Sequence, residues 1–211
     1  MKYAFGIQIL LLALGLGQLS QAQNRARLHQ FVVNVGQCAK VAGGYSENAC
    51  SLAVREITEC AGLSTGWCSG SAVNYINCPY SCDKTNAKDC NDQMDRNWVS
   101  VPKTSKACMQ EGSLRIYKGP CDQFKYYEGS TPRSQVRQKR SQCLAAMKAQ
   151  NLLSKNASDR DILPGDFHGH IEIVGQGARV FHHYEDNIYP IDSPFELGKR
   201  RTLVGCMVPR L

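Results

Sequence analysis

The sequence predicts an α+β fold: a cysteine-bearing helix packed on an antiparallel sheet, with a disulfide-rich insertion between the two. Residues 48–63 set Leu52, Ala53, Ile57, Cys60 and Ala61 at helical spacing. Two runs, 170–174 and 179–184, alternate apolar and polar residues across Gly175-Gln176-Gly177, which is a β-hairpin pattern. Between helix and hairpin, residues 78–143 hold Cys78, Cys82, Cys90, Cys108, Cys121 and Cys143 among polar and turn-forming residues. A stretch of that kind cannot build its own core and is expected to be stapled by disulfides.

The chain opens Met1-Lys2-Tyr3, stays largely apolar over residues 4–19 and reaches Ser20-Gln21-Ala22. One positive charge, a short apolar core and a small-x-small ending predict a secretory signal peptide over residues 1–22, cut after Ala22. The apolar run is short for a membrane span, and no second candidate follows, so no stable membrane insertion is expected. Residues 23–211 then make one domain. Eleven cysteines fit an oxidising compartment, which places the protein outside the cell or in a periplasm. The number is odd, so one cysteine is left over, either as an unpaired structural thiol or as a nucleophile. The formal charge is +7. Basic residues cluster at 133–140 and 199–201, which suits anionic partners such as cell-wall polymers, although a solvated basic face explains either cluster alone. No interleaving of aromatic and basic residues points to nucleic acid.

Phe31-Val32-Val33 reads as a short strand, followed by a Gly43-Gly44 turn. Ser46 or Asn48 can cap the helix at 48–63, and Gly62 is placed to end it. Cys50 falls in its first turn, where unpaired N–H groups and the helix dipole favour an anion, so its thiol pKa should be lowered. Residues 64–78 read as a loop and a short helix. Asp89, Asp92 and Asp95 match no EF-hand spacing and read as solvated carboxylates. Residues 141–153 are helical, with Leu144, Met147, Leu152 and Leu153 apolar. Arg137-Gln138-Lys139-Arg140 resembles a furin-type processing site in an exposed basic loop. Asn156-Ala157-Ser158 is a glycosylation acceptor. Both matter only in a eukaryotic secretory pathway. Ile162-Leu163-Pro164-Gly165-Asp166 turns the chain into the hairpin, and residues 203–208 form a closing strand.

Four of the five histidines, His168, His170, His182 and His183, fall in or beside the hairpin. They could supply zinc ligands. His168-x-His170-Ile171-Glu172 also resembles the closing motif of LytM-type zinc endopeptidases, but that family requires an upstream His-x-x-x-Asp, and His29 has no Asp at the right distance. The other chemistry pairs a thiol at a helix N-terminus with an imidazole opening a sheet strand, the working pair of papain-like folds. Cys50 would be the nucleophile and His170 the base. A third group must orient the imidazole: His182 on the next strand, with Glu185 and Asp186 as alternatives. Likeness to family motifs sets Cys68 and Cys38 beside Cys50 as candidates for the nucleophile's role.

The residues carry a resemblance in two blocks of about forty residues in all. Leu163-Pro164-Gly165-Asp166, His170-Ile171-Glu172-Ile173-Val174 and Arg179-Val180-Phe181-His182 resemble the second half of NlpC-like peptidoglycan cysteine peptidases. Asn48-Ala49-Cys50-Ser51-Leu52-Ala53-Val54-Arg55 resembles the cysteine helix of type VI secretion amidase effectors and CHAP amidases. Cys68-Ser69-Gly70 is similar to the NlpC-like Cys-Ser-Gly, with Trp67 where an Asp would stand. Gly36-Gln37-Cys38 is similar to the CHAP Gly-Gln-Cys without the aromatic that follows there. The resemblance implies a papain-like, NlpC-type fold and a secreted cysteine amidase, antibacterial or wall-remodelling. Its catalytic residues would be Cys50, His170 and His182, with no cofactor. It implies bacterial peptidoglycan as substrate, cut at or near the D-Glu–diaminopimelate link, and an inhibitor or immunity protein as a further partner. Two readings stand beside it: a zinc hydrolase using the C-terminal histidines, and a non-enzymatic, disulfide-stapled binding protein with Cys50 bonded.

Overall fold

The alternation at 170–174 forms a strand, β3 (His170–Val174), and the next run forms β4 (Arg179–Phe181). They pair antiparallel, with Ile173 opposite Phe181 and Val174 opposite Val180. A computed structural model describes residues 2–42, 50–66, 96–126, 129–163, 165–181, 188–190 and 200–211. Its other strands are β1 (Trp98–Val101), β2 (Leu114–Lys118), β5 (Ile188–Pro190) and β6 (Thr202–Pro209). They form one sheet in the order β1-β6-β2-β3-β4-β5, and every neighbouring pair is antiparallel. The helices are α1 (Lys2–Cys38), α2 (Cys50–Cys60), α3 (Arg133–Ala149) and the single turn α4 (Gly165–His168). The fold is therefore α+β with an antiparallel sheet, and the closing strand expected at 203–208 is β6, lying between β1 and β2.

Three local expectations are corrected. Phe31, Val32 and Val33 lie in α1, because Phe31, Val32, Val35 and Cys38 bury at helical spacing. The cysteine-rich 78–143 stretch contributes β1 and β2 to the sheet and so carries part of its core: Trp98, Leu114 and Ile116 are fully buried. The basic run 137–140 lies within α3, not in a loop. Arg140 there ties the helix to the Ile162 carbonyl, 3.2 Å from its guanidinium.

One core joins α1 and α2 to the sheet through Phe31, Val35, Val54, Ile57, Leu114, Ile116, Ile171 and Ile173. Along α1, residues 20–27 are exposed and Leu28 packs against the core. A second core gathers Cys121, Tyr126, Cys143, Met147, Ile162 and Phe167 around α3 and α4. Disulfides brace both. Cys38–Cys60 ties α1 to the end of α2, Cys121–Cys143 anchors α3, and Cys108–Cys206 fastens the segment before β2 to β6. Such bridges suit an oxidising, extracellular setting. Among the described residues no helix is long and apolar enough to cross a membrane.

Candidate active site

Helix α2 spans Cys50–Cys60. It buries Cys50, Ala53, Val54, Ile57 and Thr58, a stripe at three- and four-residue steps that continues to Ala61. Val54 takes the inward place that the sequence assigns to Leu52, which is half-buried. Gly62 ends the helix as expected. Its φ is +98°, its N–H donates to the Glu59 carbonyl, and the Leu63 N–H donates to the Thr58 carbonyl. That is the Schellman arrangement, which needs a residue tolerant of positive φ.

Six of the seven cysteines among the described residues are paired in disulfides; Cys50 is the free one. Cys38, a competing candidate nucleophile, is bonded to Cys60. Cys68, the other candidate, lies outside the described residues, as do Cys78, Cys82, Cys90, His182, His183, Glu185 and Asp186.

The Cys50 thiol is 8% exposed. It receives the backbone N–H of Ile171, and the N–H groups of Ser51 and of Cys50 itself also favour its thiolate. The donor belongs to the residue that follows His170 on β3. The sequence predicts a lowered thiol pKa, and here the structure corrects it. Burial pushes the pKa up, and it outweighs the Ile171 N–H, the nearby Arg201 charge and the start of the helix.

His170 opens β3 directly after Gly169, whose φ of +68° reverses the chain out of α4. Ile171 and Ile173 face the α1–α2 core. Period-two alternation sets His170 and Glu172 on the other face, with Tyr117 and Arg115 opposite them on β2. The two faces are both buried, so all five residues of β3 are covered. Glu172 is held from two sides. Arg115 Nε lies 2.5 Å from its Oε1, and the Tyr117 hydroxyl donates to the same oxygen at 2.6 Å. The other oxygen, Oε2, lies 4.0 Å from His170 Nε2. Burial pushes the Glu172 carboxyl up while Arg115 and Tyr117 hold it down. The Tyr117 hydroxyl is pushed up strongly, by burial first and then by the Glu172 charge.

Arg201, just before β6, completes this polar cluster and is itself buried. Its charge favours the ionised forms of Cys50, Glu172, Tyr117 and Asp166 alike. The Arg201 charge is thus felt both by the thiol and by the polar cluster. The guanidinium packs against Gly165 so closely that a Cβ there would collide with Nη2. Asp166, fully buried, accepts the Leu163 N–H at 2.8 Å and faces Arg200 at 3.7 Å. Burial raises its pKa. Its role is to close the turn that delivers β3.

His168 is half-buried against Tyr126, with ring centroids 6.1 Å apart, in the second core. His29 is exposed on α1. Among the described residues no group of three or more His, Cys, Asp or Glu side chains could hold a metal. Arg115, Tyr117 and Arg201 did not emerge from the sequence as site residues. The signal for the first two is the alternation Leu114-Arg115-Ile116-Tyr117-Lys118, which sits inside a segment whose composition reads as loop. Comparison of the chain with protein-family models, with curated proteins and with solved structures gives no match.

Proposed function

We propose that the protein is a secreted cysteine hydrolase that cuts peptide bonds in bacterial peptidoglycan. The observation that carries this is the setting of Cys50. It is a free thiol in a disulfide-braced chain, placed at the head of a helix and hydrogen-bonded to the residue that follows His170. Substrate class and bond come from the resemblance of both blocks to NlpC-like and CHAP amidases.

Because the resting thiol is protonated, the chemistry runs by general-base catalysis and not from a preformed thiolate. His170 takes the Cys50 proton as sulfur attacks the carbonyl carbon. Backbone N–H groups at the head of α2 favour the oxyanion. The C–N bond then breaks as His170 returns the proton to the leaving amine. Water, deprotonated by His170, attacks the thioester carbonyl; the C–S bond breaks, the acid leaves, and His170 returns the proton to the Cys50 sulfur. The sequence assigns the orienting role beside His170 to His182.

The test is digestion of purified peptidoglycan by the disulfide-intact protein, with products read by mass spectrometry. Cys50→Ala should abolish cleavage, and a metal chelator should leave it unchanged. Equal cleavage by Cys50→Ala would sink the proposal, and chelator sensitivity would move the chemistry to the histidines. The binding-protein alternative required Cys50 to be bonded, and Cys50 is free; its low exposure favours that reading only in the form of a non-enzymatic binding protein with a structural thiol. That reading requires wall binding without any cleaved product.

A further inference from the structure

Resting on the hydrolase reading, we infer that Glu172, rather than the His182 that the sequence suggests, is a positioning residue for His170, held in place by Arg115 and Tyr117. The geometry divides the carboxylate between two tasks. Oε1 carries both fixed partners, Arg115 Nε at 2.5 Å and the Tyr117 hydroxyl at 2.6 Å. Oε2 is the oxygen turned to the imidazole, 4.0 Å from Nε2. All of these groups sit on two paired strands, with Tyr117 opposite His170 and Arg115 opposite Glu172. Their spacing is set by the ladder and not by loop geometry. Side-chain exposures of 8% for Arg115 and 6% for His170 and Glu172 keep competing water away.

The chemistry follows from the two ring nitrogens. A neutral imidazole carries one N–H and one lone pair. An N–H on Nε2, directed at Glu172 Oε2, leaves the Nδ1 lone pair to accept the thiol proton. Once that proton has moved, the ring is a cation and the carboxylate beside it stabilises the charge. The 4.0 Å gap closes with a small side-chain rotation, and catalytic hydrogen bonds commonly tighten only when substrate is bound. Among the described residues, Arg115 and Tyr117 from β2 and Arg201 before β6 act on Glu172. Glu172 lies 4.0 Å from His170 Nε2, so the positive charge of protonated His170 is answered there.

The test follows His170 directly, by NMR titration of its ring protons in the disulfide-intact protein, alongside cleavage kinetics. Glu172→Gln keeps the shape and removes the charge. It should lower the His170 pKa by about one pH unit or more. It should also cut kcat by about 100-fold while KM stays near wild type. Gln beside a buried Arg115 risks misfolding, so Tyr117→Phe is the second variant. It removes one hydroxyl, weakens the hold on Oε1 and should move the same titration in the same direction by less. Glu172→Asp, which keeps the charge, should recover part of the shift. A His170 titration identical in wild type and in both Glu172→Gln and Tyr117→Phe would overturn the inference. A shifted titration in a protein whose wild type cleaves nothing would uphold the pairing and sink the hydrolase reading instead.

Discussion

Native Cys50 should resist alkylation at neutral pH and react only as the pH climbs past the ordinary thiol range. A free thiol of pKa about 8.5 is about 3% thiolate at pH 7, and the thiolate is the reactive form. Burial holds the Cys50 pKa above its ordinary value, and the side chain is 8% exposed. Each pH unit of elevation removes a further factor of about ten from the thiolate population. Restricted access slows the reagent again. The two effects together should make iodoacetamide react with native Cys50 at least about tenfold more slowly than with the same residue in urea at pH 7. Because folding raises this pKa, the folded state binds the proton more tightly than the unfolded chain. The resulting stability is present below the unfolded pKa and is lost as pH rises through the folded one. Protection of Cys50 should therefore weaken in the alkaline range and not in the acid range. The assay is timed alkylation of the disulfide-intact protein from about pH 6 to about pH 10, followed by mass spectrometry of the peptide that carries Cys50. A native rate equal to the urea rate at neutral pH, or one that levels off below neutrality, would refute the reasoning. It would mean that the helix terminus, Ile171 N–H and Arg201 outweigh burial.

Two further perturbations probe the frame that holds the site. Gly119→Ala would set a Cβ 2.3 Å from the Asp166 carbonyl oxygen, which also accepts the Cys121 N–H at 2.9 Å. Backbone cannot yield cheaply there. Overpacking plus the strained hydrogen bond should cost about 2–4 kcal/mol, read as a lower urea midpoint with an unchanged slope. A loss within about 0.5 kcal/mol would show that the α4 turn is not braced by this contact. The disulfides should rank by the loops they close. Cys108–Cys206 spans 98 residues and Cys121–Cys143 spans 22. Loop-closure entropy then favours the first, at about 4.7 against about 3.4 kcal/mol. Replacing each pair by Ala and measuring denaturant unfolding tests the order, and the reverse ranking would refute it.

Long periodic segments were legible in the sequence, and short ones were not. The α2 stripe, its Gly62 terminator and the β3–β4 hairpin all announce themselves through many residues obeying one period. Four-residue β1 and five-residue β2 offer too few repeats to stand out against neighbouring cysteines and polar residues. The stretch holding them therefore reads as an insertion, although Trp98, Leu114 and Ile116 are core. Phe31-Val32-Val33 misleads for the opposite reason. Three β-favouring residues suggest a strand locally, and only Val35 and Cys38, further along, reveal the helical spacing that packing selects.

The state of the candidate nucleophile was beyond reach for a deeper reason. The effect of a helix terminus on Cys50 can be written down from sequence, because it depends on the residue's place in its own element. Desolvation depends instead on what covers the thiol. That cover includes β3, more than a hundred residues further along the chain, as well as α1. The same holds for Glu172. Its carboxylate meets Arg115 and Tyr117 only because β2 and β3 pair in one register, with Arg115 opposite Glu172. A slip of one residue would turn both groups to the apolar face. The register is fixed from that face, where Leu114 and Ile116 oppose Ile173 and Ile171. Core packing on one side of the sheet thus sets the electrostatics on the other. A change such as Ile171→Ala, which touches no polar group, should loosen the site's charges as well as its core.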